Sequence, residues 1–397
     1  MTEAHHPDIL HLEACNFVDK PMGGQLSFSR QLMKALGSRL ALVGLSNSAN
    51  DPIGSWFDKE INGIVYRFFA IGSDIHAGSK PFIPSRFTNW FQFRRYRDRI
   101  FSIGIPNVIV SEHSILMALD ARRGGNLCFY SPGVDSPLSI SRYPWAVRFA
   151  PLFDRLFFRS LNQKANCILA AADELAIADL RRRAGERLRG KNIITFPTRV
   201  DTDIFRPADR LVARERLGLP RDHFVVLTTG RIHWAKGWSF LIESFKLFLD
   251  RFPGSLLIFL GDGVERKLLE QKASDLGMHR NVVVAGYQPP FSVAVHLQAA
   301  DLFVMGSLKE GWSTALVEAL ACHIPIVTTR FSSADTIVRQ GVNGFVVDRD
   351  VLEFSQAMKK ALSLGEITTY VNDIIDRYAL KNLERDLFRA WPILPIK

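Results

Sequence analysis

The sequence predicts an α/β protein built from two Rossmann-like domains. Three observations support this fold class. The chain has 397 residues, a length typical of two domains. Short apolar runs alternate with segments of helical periodicity, which is typical of a parallel sheet covered by helices on both faces. Hydrophobic residues make up 47% of the chain and charged residues 23%, the balance of a globular protein rather than a disordered one.

The C-terminal half shows the alternation most clearly. Residues 223–230 form a β-rich run that ends at a glycine, and residues 238–252 follow with apolar side chains at helical spacing. A second strand ends in Gly261-Asp-Gly263 and precedes a helix that ends at Gly277. Further strands are predicted at 281–287, 301–307, 324–329 and 345–348. Right-handed crossovers bring the carboxyl ends of such strands to one edge, so we expect a ligand site there.

The N-terminal half repeats the pattern less regularly. Strands are predicted at 8–16, 40–46, 107–114, 126–131, 166–171 and 192–197. We place the linker at 207–210, which predicts an N-terminal domain of residues 1–206 and a C-terminal domain of residues 207–371. The helical segment 372–397 is expected to return to the first domain.

Two glutamates stand at a predicted strand-to-helix junction, Glu310 and Glu318, with seven residues between them. Ser313 or Thr314 can cap the helix, and the free amides at its start can receive diphosphate or sugar oxygens. Glu318 lies about a turn inside the helix, where a carboxylate can accept two hydrogen bonds from a vicinal diol such as ribose. Glu310, in the loop, can do the same for a sugar ring.

A glycine-bounded loop, residues 230–237, follows the first strand of the C-terminal half. It carries Arg231 and Lys236, two cations that can hold a pyrophosphate from two sides. They can also stabilise the negative charge that develops when a nucleoside diphosphate leaves. The loop is not a P-loop, because G-x-x-x-x-G-K-S/T is absent.

These stretches resemble family 4 of the retaining glycosyltransferases, the group 1 glycosyltransferases with the GT-B fold. The matching segments are residues 230–237, 260–263, 284–287, 310–318 and 341–348. The resemblance implies two Rossmann-like domains that face each other across a cleft. It also implies retaining transfer of a sugar from a nucleoside-diphosphate sugar to a glycan or lipid-linked acceptor, in polysaccharide, lipopolysaccharide or glycoconjugate biosynthesis. No metal and no cofactor beyond the nucleotide sugar are expected.

The resemblance also implies roles for individual residues. Glu310, Arg231 and Lys236 are expected to be catalytic, and Glu318 is expected to contact the ribose. Gly23 and Gly24 resemble the family's first glycine-rich loop, where backbone approaches the donor phosphate without a Cβ in the way. The full set of expected donor-binding residues is Gly23, Gly24, Gly230, Gly263, Tyr287, Gly311, Trp312, Ser313, Thr314 and Glu318.

Departures from the family lie mainly in the N-terminal half. The family carries a histidine near the reacting sugar, and Pro132 stands in that place here, directly after Ser131. Ser131 and the strand-end His113 are therefore the candidate acceptor or cleft residues, although a lone strand-end histidine is also typical of a structural hydrogen bond. Ser332-Ser333 replaces a double glycine common in the family. The sugar, the nucleotide base and the acceptor stay open.

Two other functions are compatible with Rossmann-like domains. A Rossmann dehydrogenase needs G-x-G-x-x-G after a strand, and Gly261-Asp-Gly263 is not followed by the third glycine. A catalytically weak or inactive nucleotide-sugar-binding protein of the same fold is the second alternative, and Pro132 is its main support.

The net charge of +10 comes largely from arginines between Arg86 and Arg189. No zinc-finger spacing or aromatic RNA-binding signature is present, so no nucleic acid partner is expected. Residues 86–99 interleave aromatic rings with arginines, a pattern that suits an anionic membrane surface. Residues 142–159 repeat this pattern, but Leu152, Phe153, Leu156 and Phe157 also fit the buried stripe of an ordinary helix.

The start of the chain lacks a basic region followed by an apolar run, and no uncharged apolar stretch is long enough for a membrane span. We therefore expect a cytoplasmic protein. Peripheral association with the inner face of the membrane follows as a hypothesis from the basic aromatic segments.

Overall fold

The computed structural model describes residues 6–18, 24–74, 85–120, 125–132, 136, 138, 147–172, 174–364, 367 and 371–395. The chain forms two compact units. The first unit comprises residues 1–198 together with 381–397, and the second unit comprises residues 199–380.

The first unit is built on an eight-stranded sheet in the order β3-β4-β2-β1-β5-β6-β7-β8. All neighbouring strands are parallel except β3 and β4, which form an antiparallel hairpin. The strands are β1 (Ile9–Leu12), β2 (Leu40–Ser46), β3 (Trp56–Ile61), β4 (Ile64–Ser73), β5 (Asn107–Val110), β6 (Asn126–Ser131), β7 (Cys167–Ala170) and β8 (Ile193–Thr195).

Helices cover both faces of this sheet. They are α1 (Gly24–Leu36), α2 (Ser85–Phe101), α3 (His113–Ala118), α4 (Ala150–Lys164) and α5 (Glu174–Ala184), and α14 (Leu383–Ala390) joins them from the end of the chain. Neighbouring residues of β6 face opposite sides of the sheet, as the two-residue period of a strand requires. Phe129 packs into the core shared with α2 to α5, whereas Tyr130 stacks on Phe28 of α1 with ring centroids 3.4 Å apart.

The second unit has a six-stranded sheet in which all neighbouring strands are parallel. Its order is β11-β10-β9-β12-β13-β14, the Rossmann order in which the chain winds outward from β9 and then restarts at β12. The strands are β9 (Val225–Thr229), β10 (Leu256–Leu260), β11 (Val282–Gly286), β12 (Leu302–Met305), β13 (Ile326–Thr329) and β14 (Gly344–Val347).

The helices of the second unit form a layer on each face of its sheet. They are α6 (Arg210–Leu217), α7 (Trp238–Leu249), α8 (Arg266–Asp275), α9 (Pro290–Ala299), α10 (Thr314–Ala321), α11 (Ala334–Ile337), α12 (Val351–Ala361) and α13 (Val371–Tyr378). The core on one face takes side chains from α7, α8 and α12, and the core on the other takes them from α9, α10, α11 and α13. The apolar stripe predicted for α7 is buried at Phe240, Leu241, Phe245 and Phe248.

The boundaries between the units differ from the predicted ones, residues 206 and 371. The structure places them after residue 198 and after residue 380. The reason is that the two crossing segments pair with each other: Val200 N–H donates to the Tyr378 carbonyl (2.9 Å), and Leu380 N–H donates to the Val200 carbonyl (2.8 Å). This pairing interrupts the helix predicted at the end of the chain, so α13 belongs to the second unit and only α14 returns to the first.

Among the helices in the described ranges, none is both long enough and apolar enough to cross a membrane. The four cysteines are free thiols; Cys128, Cys167 and Cys322 are buried and Cys15 is half-buried.

Candidate functional site

The strand order of the second unit determines where its ligand site is expected. The direction of winding reverses between β9 and β12, and open α/β sheets bind ligands outside the carboxyl ends of the strands at such a point. The loop after β9 is the predicted cationic loop, residues 230–237. The loop after β12 contains Glu310 and leads into α10. The two sequence motifs therefore lie next to each other at the switch point.

Glycines let the cationic loop pack closely on the turn that follows β10. Gly230 N–H donates to the Leu260 carbonyl and Ile232 N–H donates to the Asp262 carbonyl, both at 3.0 Å. A Cβ at Gly261, whose φ is +152°, would lie 1.9 Å from the Gly230 oxygen, and a Cβ at Gly263 would lie 2.2 Å from the Ile232 oxygen. Gly263, predicted as a donor-binding residue, thus has a packing role that already requires glycine.

Lys236 and Glu310 form the central contact of the site. Lys236 ends a 3₁₀ turn, Trp234–Lys236, whose start is held by a hydrogen bond from the Ala235 N–H to His233 Nδ1 (3.3 Å). Its Nζ lies 2.5 Å from Glu310 Oε1, and the Ser307 hydroxyl donates to the same carboxylate oxygen at 2.7 Å. The two predicted catalytic groups thus form an ion pair with each other.

Arg231 provides the second cation of the loop. It is exposed, and it makes no ion pair with any residue in the part of the chain that the structure describes. Arg231 and Lys236 both line a shallow, open depression, with Leu241, Phe259 and Met305 among its other lining residues. A charged guanidinium without a protein partner beside such a depression is suited to bind an anion.

Helix α10 begins at the switch point with a fixed N-terminus. Of the two predicted caps, Ser313 is the one used: its hydroxyl accepts the Leu316 N–H at 3.4 Å. The backbone N–H of Ser313 donates to the hydroxyl of Ser333 (3.2 Å), one of the two serines that replace the family's glycines. Gly311, Trp312 and Thr314 occupy the same loop and helix start, as the sequence predicted.

Glu318 lies one turn inside α10 and is half-buried. Burial raises the pKa of its carboxyl to about 7. Within the described ranges no hydrogen bond or ion pair satisfies this carboxyl. A desolvated carboxyl without a protein partner is typical of functional sites rather than of structural ion pairs.

Trp312 carries a second unsatisfied polar group near the same helix. Its indole ring packs on Tyr378 with centroids 4.6 Å apart, and its Nε1–H is buried without a hydrogen-bond acceptor among the described residues. Leaving a buried N–H unpaired costs roughly 1–3 kcal/mol. A ligand oxygen that reached this N–H would recover that free energy. Tyr287, the remaining predicted donor contact of the second unit, is exposed directly after β11.

The predicted residues of the first unit are arranged around its own switch point, between β1 and β5. Gly24 is the first residue of α1, and Gly23 lies outside the described residues. His113 begins α3; its ring is 4.6 Å from the Phe157 centroid and 5.5 Å from that of Phe129, and burial lowers its pKa to about 4. These contacts give His113 a packing role as a neutral ring. Ser131 is buried at the end of β6.

Sequence analysis missed Ser307 and the structural role of Ser333. Ser307 is the second residue after β12. It could have been identified from the sequence, because it is the first polar side chain after a buried strand. The carbonyl of Ser307 accepts the Thr329 hydroxyl at 2.7 Å, which ties it to the end of β13. The hydrogen bond between Ser333 and Ser313 joins residues 20 positions apart and has no local sequence signal.

Part of the second unit matches a known protein family. Residues 209–374 match the family described as glycosyl transferases group 1. A D-inositol 3-phosphate glycosyltransferase from Acidothermus cellulolyticus is 32% identical over 217 residues, which cover 50% of this chain and 47% of that protein. The lipopolysaccharide core biosynthesis glycosyltransferase LpsE of Rhizobium meliloti is 36% identical over 171 residues, 42% of this chain and 48% of LpsE. The alignments thus span about half the length of these relatives.

Solved structures match over nearly the whole chain. Sucrose-phosphate synthase from Thermosynechococcus elongatus superposes with a TM-score of 0.75 at 18% identity, covering 96% of this chain and 98% of that one. HepE from Anabaena, in complex with UDP and glucose, gives a TM-score of 0.71 at 18% identity, covering 98% of this chain and all of the other. At this level of identity the likeness shows the fold, and it confirms the predicted class of two Rossmann-like domains.

Proposed function

We propose that the chain belongs to the group 1 glycosyltransferases, whose family model matches residues 209–374. On this premise, it transfers a sugar from a nucleoside-diphosphate sugar to a glycan or lipid-linked acceptor. The Lys236–Glu310 pair at the switch point of the second unit is the observation that carries this proposal. The lipopolysaccharide core function of LpsE supports a role in surface polysaccharide or glycoconjugate biosynthesis. The UDP bound by HepE makes UDP-sugars the first donors to test.

The donor would replace the internal ion pair. Its diphosphate takes Lys236 and the unpaired Arg231, the ribose hydroxyls reach Glu318, and Glu310 turns to hydroxyls of the sugar. The acceptor oxygen then bonds to the anomeric carbon as the bond from that carbon to the phosphate oxygen breaks. Both cations stabilise the negative charge that develops on the leaving diphosphate.

The acceptor proton passes to the leaving phosphate oxygen, so the reaction needs no separate protein base. Attack on the face that the diphosphate leaves gives retention of configuration, a feature carried over from the resemblance. We also propose that the reaction needs no metal ion, since Arg231 and Lys236 supply the positive charge. Acceptor recognition is assigned to the first unit.

A catalytically weak nucleotide-sugar-binding protein is the second candidate, because Pro132 stands where the family carries a histidine. One experiment separates the two. Purified protein is screened against a panel of nucleotide sugars in the presence of EDTA, with thermal shift reporting binding and released nucleoside diphosphate reporting turnover. The enzyme shows both signals for one donor. Binding without release, even with crude glycan and lipid acceptors added, supports the second candidate, and a signal that requires Mg²⁺ or Mn²⁺ contradicts the metal-independent mechanism.

For location, we propose peripheral association with an anionic membrane through α2. Phe87, Trp90 and Phe91 are 57%, 38% and 63% exposed. The exposed guanidinium of Arg94 lies 5.3 Å from the Trp90 ring centroid, and Arg95 is exposed on the next position. Exposed rings beside arginines suit the boundary between lipid headgroups and acyl chains.

Helix α4 carries a separate set of exposed apolar side chains. Phe157 is buried as predicted, but Leu152 and Leu156 are 54% and 45% exposed, so the expectation of a buried stripe is wrong at these two positions. Phe149, one turn before Leu152, is 54% exposed as well. The helix is turned so that Phe157, Phe158 and Leu161 are buried in the core of the first unit, and half-buried Phe153 packs against the same core.

Co-sedimentation with anionic and neutral liposomes tests the location. Arg94→Ser with Arg95→Ser should lose salt-sensitive binding to anionic vesicles, whereas Arg251→Ser with Arg280→Ser, which removes two exposed arginines from the second unit, should not. Arg97 is kept because it is paired with Asp120 at 2.7 Å. Equal binding by both double variants, or no binding by the wild type, refutes this surface.

A further inference from the structure

Arg349 follows β14 and reaches back to the loop that carries Glu310. Its guanidinium donates a hydrogen bond to the carbonyl of Gly306, the first residue after β12. The same guanidinium lies over the Phe240 ring, with Cζ 4.6 Å from the ring centroid. One guanidinium therefore makes both a directed hydrogen bond and a cation–π contact.

The Gly306 carbonyl is also the point where the Glu310 loop meets the Lys236 loop. A Cβ at Gly237, the residue after Lys236, would lie 1.9 Å from the Gly306 oxygen and 2.9 Å from a terminal nitrogen of Arg349. Gly237 has a φ of +72°, so both its backbone conformation and its surroundings require glycine. Two residues further on, the Leu308 N–H donates to the Ala235 carbonyl at 2.9 Å.

We infer that Arg349 is a positioning residue that holds the Lys236 loop and the Glu310 loop in register by fixing the Gly306 carbonyl between them. Its effect on turnover rests on the proposed function, whereas its effect on the loops does not. Without the guanidinium, Gly306 loses its hydrogen bond, and Ser307 and Glu310 lose a fixed starting point. A displacement of about 1 Å at a reacting group can cost roughly 100-fold in rate.

A lysine cannot replace this arrangement fully. Its ammonium can donate to the Gly306 oxygen, but it has no planar face to lie on Phe240. Partial burial of Arg349 disfavours its charged form and lowers the pKa of its guanidinium. The negative charge of Glu243 opposes that effect.

The experiment compares Arg349→Ala, Arg349→Lys and the matched control Arg330→Ala. Arg330 is a nearby exposed arginine that pairs with Asp335 and Asp348 and does not contact Gly306. Hydrogen exchange of the Leu308 amide in the ligand-free protein reports the junction between the loops. Release of nucleoside diphosphate from the preferred nucleotide sugar, with and without added guanidinium chloride at millimolar concentration, reports the consequence.

Arg349→Ala should exchange the Leu308 amide at least about threefold faster, since local opening sets that rate. It should lower kcat at least about tenfold with little change in KM, and guanidinium should restore part of the loss. Arg349→Lys should lie between, and Arg330→Ala should match the wild type. Unchanged exchange at Leu308 in Arg349→Ala overturns the inference, as does a loss that guanidinium does not restore. If the wild type turns over no nucleotide sugar, the proposed function fails, and the exchange measurement still decides the role of Arg349.

Discussion

Replacing Glu310 by glutamine should separate two properties that usually change together, sugar transfer and nucleoside diphosphate binding. In the free protein the Glu310 carboxylate neutralises Lys236 at 2.5 Å and accepts the Ser307 hydroxyl at 2.7 Å. Glutamine keeps the shape and an acceptor oxygen but removes the negative charge. The fold should survive, because both partners can still reach the amide oxygen.

The magnitude follows from the change in hydrogen bonding. Hydrogen bonds to charged groups are worth about 1.5–3 kcal/mol and neutral ones about 0.5–1.5 kcal/mol. Losing the difference between the midpoints of these ranges, about 1.25 kcal/mol, from the contact between Glu310 and the sugar in the transition state lowers transfer roughly eightfold. The free nucleoside diphosphate should bind at least as tightly as to the wild type, because it no longer competes with Glu310 for Lys236.

Steady-state kinetics with the preferred donor and calorimetric titration with UDP measure the two effects. Glu215→Gln is the control, since Glu215 is an exposed glutamate of the second unit whose ion pair with Arg221 is long, at 3.5 Å. Wild-type transfer by Glu310→Gln refutes the catalytic assignment. A parallel loss of transfer, UDP affinity and Tm shows instead that Glu310 only supports the fold.

Three further changes test the rest of the site. Lys236→Ala or Arg231→Ala should slow transfer about 100-fold while EDTA has little effect, because each cation stabilises the departing diphosphate; chelator-sensitive wild-type transfer argues against this. Burial raises the pKa of Glu318 from about 4.3 in the unfolded chain to about 7. Its contribution to the stability of the fold is therefore lost as pH rises between these two values. The Tm of Glu318→Gln should increase relative to that of the wild type across the same pH range. The donor affinity of the wild type should rise as the Glu318 carboxylate forms. If the Tm and the donor affinity of Glu318→Gln depend on pH in the same way as those of the wild type, both predictions are contradicted. Trp312→Phe keeps the ring on Tyr378 but removes the unpaired N–H, so it should weaken donor binding about three- to tenfold without lowering Tm; unchanged affinity means that the N–H contacts no ligand.

Local patterns were sufficient to predict the strands of the second unit, although not its boundaries. Its strands are short apolar runs, mostly buried except in the edge strand β11, and several of its helices begin or end at glycines and capping residues, so the order of the strands could be read along the chain. Glu310 and Lys236 could be predicted for the same reason, because each lies in a loop directly after a predicted strand. Their direct contact could not, since it depends on β9 and β12 being neighbours in the sheet.

The first unit was less predictable because some of its features are settled by pairing rather than by sequence pattern. The hairpin of β3 and β4 was missed, although Asn62-Gly63, with φ of 53° and 78°, is a strong signal for a two-residue turn. The boundary at residue 198 depends on hydrogen bonds between Val200 and Tyr378, which are far apart in sequence. The exposure of Leu152 and Leu156 depends on how α4 is rotated on the sheet, and helical spacing alone does not give that rotation.

The most direct test of the central proposal is to locate the bound donor by hydrogen exchange of the full chain, with and without a saturating nucleotide sugar in EDTA. We predict protection of residues 230–237 and 310–318, while the hairpin of β3 and β4 in the first unit exchanges unchanged. Protection confined to other segments, with both loops unaffected at saturation, would contradict the placement of the donor site at the switch point between β9 and β12.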